Sequence, residues 1–412
     1  MNELAKTIDA LVPDAQRLLT DLIRFPSTSG NEQEAMVCLQ SACDALAADM
    51  QRVALSDTLK DDPEYSDPLP DLSYEGRFNL RVVRPGAAKK IGRTLLLNTH
   101  LDVVPPSEGM TDAFAPRIEN GVVFGRGACD AKGQAVTVWL ALKTLDALGV
   151  RTGGDVIVHF VVEEENGGNG TLAMVRHGER ADGCIVLEPS AGRLFTSVRG
   201  AVWFRLKLFG KAGHSGQASR TRSALLMARD AIALLEKYHA DLLARSRGLP
   251  LFDVHPNPMP ITFGRLAAGN WPASAPSFAA VEGVLGLLPN TTRDDVCRQM
   301  RRALLQGGLA DSDFELSFMY RHDASVLEPT HELPQTLAGA ARDAGHPLEV
   351  AAMTASCDAW SYNNLLEIPT VVCGPGTLEV AHAADEHIEM AQIAVAAETL
   401  VRTIQKFCGV AR

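Results

Sequence analysis

The chain lacks the marks of several protein classes. Its 412 residues contain no run approaching the roughly 18 apolar residues that span a bilayer, so no membrane partner is expected. The opening MNELAKTIDALVPDAQ carries acids and has neither the basic segment nor the apolar centre of a secretory signal. Eight cysteines, at 38, 43, 129, 184, 297, 357, 373 and 408, form no CxxC pair and no regular spacing. That argues against zinc ribbons and a disulfide framework, and for a reduced, cytoplasmic setting. The net charge is −11 and no Lys/Arg cluster stands against it, so nucleic acid is not an expected partner. A GxSxG elbow and a Walker glycine loop are both missing, which removes the usual signatures of a serine hydrolase and a P-loop enzyme.

What remains is a chain with 46% apolar residues and ordinary charge content, long enough for two domains. Residues 4–24 and 32–50 have helical spacing, and 56–76, rich in Asp and Pro, reads as a long surface loop. Short apolar strands then alternate with helices: strand 93–104, helix 134–149, strand 155–163, helix 170–178, strand 183–189. This rhythm predicts an α/β fold with a mostly parallel sheet covered by helices on both faces. Near Thr196 the pattern changes. Residues 201–210 alternate with period two, and the order strand, helix (222–245), strand, strand, helix (292–305), strand (314–320) is that of a ferredoxin-like α+β unit. The expected division is a discontinuous α/β domain, 1–196 with 323–412, carrying an inserted domain at 197–322.

Chemistry concentrates at strand ends. LLLNTHLDVV places His100 and Asp102 two residues apart, on one face of a strand end. GRGACDAKG sets Asp130 in a glycine-bounded turn before a helix. VVEEENGG supplies Glu163, Glu164 and Glu165, CIVLEPS supplies Glu188, and a loop beyond VVCGPG supplies His382. Each has an ordinary explanation alone: a structural histidine, a helix cap, a solvated turn. Ligands of open α/β sheets collect at the carboxyl ends of strands, and one metal centre accounts for five residues from five segments. Imidazole and carboxylate without thiolate suit zinc, cobalt or manganese.

In this order the motifs HLDVVP, GRGACDAKGQ, EEENGG, LEPS and GPG…AH resemble the metallo-deacylase and peptidase family of acetylornithine deacetylase, succinyl-diaminopimelate desuccinylase, aminoacylase and carboxypeptidase G. The resemblance spans nearly the whole chain. It implies a zinc-exopeptidase-like catalytic domain with an inserted lid and dimerisation domain. It also implies two divalent metal ions, one held by His100 and Glu188, the other by Glu165 and His382, with Asp130 bridging. By the pattern acid-Glu-Glu-x-Gly, Glu164 would be the general base and Glu165 a ligand; Asp102 would orient His100. The peptide after Asp130 is expected to be cis. His214, in GKAGHSG, matches a histidine that reaches a partner subunit's active site, implying a homodimer, and Asn270 in GNWPAS matches a substrate-contacting asparagine. Two cations sharing a water would lower its pKa, and Glu164 would carry its proton to the leaving amine after attack on an amide carbonyl.

Two departures bear on the substrate. Gly286 and Trp360 stand where desuccinylases have arginines, which are suited to binding carboxylates. Their loss argues against a succinylated, dicarboxylate substrate, and Trp360 would offer a flat apolar surface instead. The expected activity is hydrolysis of a small N-acyl amino acid or related N-acyl amine. The alternative is a dipeptidase or carboxypeptidase built on the same centre and acting on a dipeptide-like substrate.

Overall fold

The computed structural model describes residues 3–69, 71–87 and 92–411. A large mixed sheet forms the body. At its centre the strands Val156–Val161, Leu95–His100, Gly183–Val186 and Thr370–Val372 lie side by side and parallel. Their β-branched and leucine-rich sequences are buried on both faces, as the continuous apolar runs required. Leu95 and Leu97 join one core while the intervening Leu96 joins another. Helices Glu3–Ile23, Gly133–Ala147 and Met390–Phe407 cover the first face. Tyr362, Ile368 and Met353 contribute to the core on the second.

The margins of this sheet include antiparallel pairs. Phe78–Arg84 pairs with Val156–Val161, and Asp49–Ala54 adds outside it. On the other side Arg193–Val198 pairs antiparallel to Thr370–Val372 and parallel to Glu349–Met353. The expected helix over 32–50 therefore ends early, at Cys43, and its last residues turn into the edge strand. Asp49–Ala54 is mostly exposed, so its own pattern gave no sign of the pairing that holds it. The expected loop at 56–76 is also more than surface. Tyr74 and Ser66 are buried, and the Ser66 amide donates to the Asn169 side chain at 2.9 Å.

Residues 200–322 form a four-stranded antiparallel sheet in the order Ile261–Ala268, Phe278–Leu287, Gly200–Phe209, Phe314–His322. Helices Ala224–Arg245 and Arg293–Gln306 cover one face and enclose a separate apolar core around Phe204, Leu206, Val281 and Leu285. The other face looks toward the ends of the central strands. No helix among the described residues is long and apolar enough to cross a membrane.

Candidate metal centre

Parallel strands that lie side by side deliver their carboxyl ends to one edge of the sheet, and the sequence loads that edge with ligands. His100 closes Leu95–His100. The chain leaves Val156–Val161 through Glu163, whose φ of 64° turns the next residues sharply; Gly167 and Gly168, at φ 104° and 77°, complete the turn. A Cβ at Gly168 would meet Asp358 Oδ1 at 2.9 Å, so the turn also needs a bare backbone there. Glu188 follows Gly183–Val186, and His382, also at positive φ, lies in the loop after Thr370–Val372. The kinked turn Ala128–Lys132 brings in Asp130, and the Asp130–Ala131 peptide is cis, as the resemblance implied.

Asp130 is central. One carboxylate oxygen lies 3.1 Å from His100 Nε2 and the other 3.2 Å from His382 Nε2. His382 Nε2 is also 2.9 Å from Glu165 Oε1, and His100 Nε2 is 3.8 Å from Glu188 Oε2. Ligand atoms of His100, Glu164 and Glu188 lie within 4.8 Å of one another, as do those of His100, Asp130 and Glu165. The five expected ligands and Glu164 thus converge.

Electrostatics describe a site crowded with negative charge. Burial, then the neighbouring Asp130 carboxylate, push Glu165 up to about 7; burial likewise pushes Glu188 to about 7 and Glu164 well above its ordinary value. Hydrogen bonds to Asp130 and Glu165 raise His382 to about 10. Asp130, despite its burial, is pulled down by hydrogen bonds from His100 and His382. Glu188 Oε1 is buried without a hydrogen-bond partner. Hard oxygen donors, two imidazoles, surplus negative charge and an unpartnered buried carboxylate oxygen fit divalent cations.

Supporting groups hold the donors. The Asp102 carboxylate accepts the backbone amides of Glu164 (3.2 Å) and Glu165 (3.0 Å), tying two strand ends together. It stands 3.4 Å from His100 Nδ1, which lies 3.0 Å from Asp102's own carbonyl. Glu386 accepts the amides of Cys129 and Asp130, both at 3.0 Å, and pairs with buried Arg126 at 2.5 Å. Asp358, beside the centre, accepts the Thr171 hydroxyl at 2.5 Å and is pushed up to about 6 by burial. Glu386 and Asp358 were not singled out from the sequence. Their only signal was position, in the ADEHIE and SCDAW segments.

Glu163 turns away from this cluster. It is fully buried, accepts from Tyr74 Oη at 2.7 Å and Asn169 Nδ2 at 3.3 Å, and pairs with Arg77 Nη2 at 2.7 Å. Arg77 also pairs with buried Glu32 at 2.5 Å. Burial, opposed by Arg77, leaves Glu32 raised to about 7, so one guanidinium serves two acids.

Three expected substrate contacts lie elsewhere. His214 is exposed in the short pairing Gly213–His214 with Ser274–Ala275, its Nδ1 accepting the Gly216 amide at 3.1 Å. Asn270 is exposed in the adjoining loop beside Trp271, itself 66% exposed. Within one chain neither His214 nor Asn270 has a described bond to the acidic cluster. Trp360 is buried. It is 4% exposed, stacked on His322 with ring centroids 4.0 Å apart, and Arg293 lies over its ring. Its ring is thus packed between the inserted sheet and Arg293, as buried as Glu188 of the acidic cluster. At Gly286 a Cβ would meet Arg199 Nη1 at 2.7 Å and the Met259 Cα at 2.8 Å, so a larger side chain has no room there.

The geometry is matched by relationships along the whole chain. Residues 96–406 match the sequence pattern of the M20/M25/M40 peptidases. The chain belongs to peptidase family M20/M25/M40. This M20 protein is a hydrolase of amide or peptide bonds. It is 26% identical to the N-formyl-4-amino-5-aminomethyl-2-methylpyrimidine deformylase of Halalkalibacterium halodurans, covering 99% of this chain and 97% of that one. It is 24% identical to the acetylornithine deacetylase of Proteus mirabilis, covering 96% and 97%. The M20 fold is shared with the Saccharomyces cerevisiae dipeptidase Dug1p, with a TM-score of 0.81, 13% identity and 98% of both chains covered.

Proposed function

We propose that the protein removes a small acyl group from an N-acyl amino acid or related N-acyl amine, using two divalent cations. The observation that carries this reading is the Asp130 carboxylate set between His100 and His382, with Glu188 and Glu165 at the two ends and Glu164 beside them. His100, Glu188 and Asp130 would hold one cation, and Asp130, Glu165 and His382 the other. Zinc suits the donors, with cobalt or manganese as substitutes. Such a pair supplies Lewis acidity to an amide carbonyl and acidifies water.

Glu164 takes the proton of the attacking water and returns it to the leaving nitrogen. Its place within 4.8 Å of the ligand atoms of His100 and Glu188 suits both halves of that transfer. Asp102 positions Glu164 and Glu165 by fixing their amides. The half-exposed His382 leaves one side of the centre open for substrate entry.

We assign 1–196 with 323–412 to the catalytic domain and 197–322 to a lid that also pairs two subunits. The exposed position of His214 and Asn270, with no described bond to their own chain's cluster, supports their service to a partner's site. A cytoplasmic location is supported by eight free thiols.

The test is a hydrolysis screen of the zinc- and cobalt-loaded protein. It covers N-formyl, N-acetyl and longer N-acyl amino acids, N-formyl aminomethylpyrimidine and dipeptides. Turnover of N-acyl compounds is expected. Turnover of dipeptides alone, with a required free α-amino group, would replace this reading with the peptidase one, and no turnover of any amide would end both. Glu164→Gln should keep its metal and lose about 10²–10⁴-fold in kcat. Glu165→Gln should lose metal first; the reverse pattern would exchange their roles.

A further inference from the structure

Strand Phe314–His322 lies at an edge of the inserted sheet, and its ladder skips one residue. Phe318 pairs with Phe204 and Tyr320 with the adjacent Trp203, which leaves Met319 out as a bulge. The Met319 carbonyl is met from outside the sheet by the Asp67 amide, at 2.7 Å. Two arginines extend that junction. Arg321 Nη2 donates to the Pro63 carbonyl at 3.0 Å, and Arg293 donates to both carboxylate oxygens of Glu64, to one of them at 2.8 Å. Only 15% of the Glu64 side chain and 17% of that of Arg293 are exposed, so water screens this pair less than it does a surface salt bridge. Residues 63–67 thus cover part of the open edge of the inserted sheet.

The same segment holds the turn that carries Glu164. The Ser66 amide donates to Asn169 Oδ1 and the Ser66 carbonyl accepts from Asn169 Nδ2, both at 2.9 Å. Asn169 Nδ2 also reaches Glu163 Oε2, and Tyr65 Oη lies 3.2 Å from the Tyr74 hydroxyl that donates to Glu163. Ser66 packs directly on Gly167, where a Cβ would stand 2.4 Å from Ser66 Cβ. Glu163 and Gly167 bracket Glu164. The turn is closed by the Gly167 amide on the Glu164 carbonyl (2.9 Å) and by the Gly168 amide on the Glu163 carbonyl (2.7 Å). Glu164 therefore sits on a short arch with both feet against this segment.

We propose that residues 63–67 tie the inserted sheet to the general base, so that the position of the lid sets the position of Glu164. The inference rests on the deacylase reading, in which Glu164 moves the proton. Asp102 fixes the Glu164 amide from the metal side, and the tie fixes the turn from the lid side. Glu64, Ser66 and Asn169 are positioning residues, acting through the turn and not on the substrate. Small displacements suffice, since misplacing a reacting group by about 1 Å can cost about 10²-fold in rate.

The test cuts the tie at each end and then at both. Glu64→Ala severs the lid side and Asn169→Ala the base side; Glu64→Gln and Tyr74→Phe replace them if either alanine variant fails to fold. With an N-acyl amino acid, each cut should lower kcat about 10-fold while KM and bound metal stay nearly constant. Both cuts interrupt one connection, so the double variant should lose no more than the worse single one. Independent defects would instead multiply to about 100-fold. That product, a kcat indifferent to Glu64→Ala, or a rise in KM in place of the fall in kcat would overturn the proposal. Hydrogen exchange reads the tie without turnover. Glu64→Ala should speed exchange at the Gly167 and Gly168 amides and leave Val156–Val161 as in the wild type; unchanged glycine rates would also overturn it. Absent wild-type turnover ends the deacylase reading alone, because exchange still reports whether the lid side reaches the turn.

Discussion

Glu163, Glu164 and Glu165 are chemically identical and adjacent, yet their surroundings give them different work. Glu163 meets an arginine, a tyrosine and an asparagine in a fully buried pocket, whereas its two neighbours face the acidic cluster. Removing a partner from a buried ion pair strands the remaining charge. Arg77→Ala should therefore destabilise the fold by about 3–5 kcal/mol in chemical denaturation. A loss below about 1 kcal/mol would show that Glu32 and Glu163 find other partners. Gly286 offers a second test. Because the Met259 backbone and Arg199 crowd it, Gly286→Arg should lower stability without conferring desuccinylase activity; Tm and succinyl-substrate turnover report the two parts. The motif EEENGG revealed the charges, but not the tyrosine and arginine far away in the chain that separate one glutamate from the others.

At the scale of elements, the interior strands and most helices were legible because their apolar periodicity is their reason for forming. Expected helix 134–149 is Gly133–Ala147, and expected strand 155–163 contains Val156–Val161. Edge strands such as Asp49–Ala54 were not legible, since hydrogen bonds to a neighbour rather than burial hold them. The bulge at Gly264 in Ile261–Ala268 belongs to the same class, because alternation read from sequence puts Arg265 on the face of Phe263. The contact between Phe314–His322 and the segment bearing Trp360 also has a pH signature. Burial and then Arg293 push His322 down to about 3, so it folds neutral. Unfolded, it titrates near its ordinary 6.5, and the unfolded chain takes up the proton first on acidification. Its contribution is whole above about pH 6.5 and is lost as pH falls toward 3, at up to about 1.4 kcal/mol per pH unit. His322→Phe, which keeps a ring against Trp360, should flatten the dependence of Tm on pH between about pH 6 and pH 4. An unchanged slope would place the acid sensitivity elsewhere.

For the whole molecule, the proposed lid and the proposed second subunit make separate predictions. If His214 completes a partner's site, both His214→Ala and Glu164→Gln homodimers should be nearly inactive. Mixing and re-pairing them should restore roughly a quarter of wild-type turnover, since half the dimers then hold one intact composite site. No recovery, with exchange verified by mass, would mean that His214 serves its own chain or none. Metal should also contribute to stability. Ions bound only by the folded state raise Tm, by the equivalent of about 4 kcal/mol at a thousandfold excess over Kd. Chelation should lower Tm reversibly, and zinc should restore it together with activity.

The sequence by itself determined the α/β rhythm, the ferredoxin-like order of the second sheet and the acids and histidines that converge at the strand ends. All three follow from local rules: apolar period sets the element, and a parallel sheet sends its strand ends to one edge. Tertiary structure alone decided the rest. It separated Glu163 from Glu164, buried Trp360 against His322, crowded Gly286 with Arg199 and the Met259 backbone, and put Arg265 on the sheet face opposite Phe263. Each of these depends on which distant atoms occupy the space around a side chain, and that is settled only when the two sheets pack.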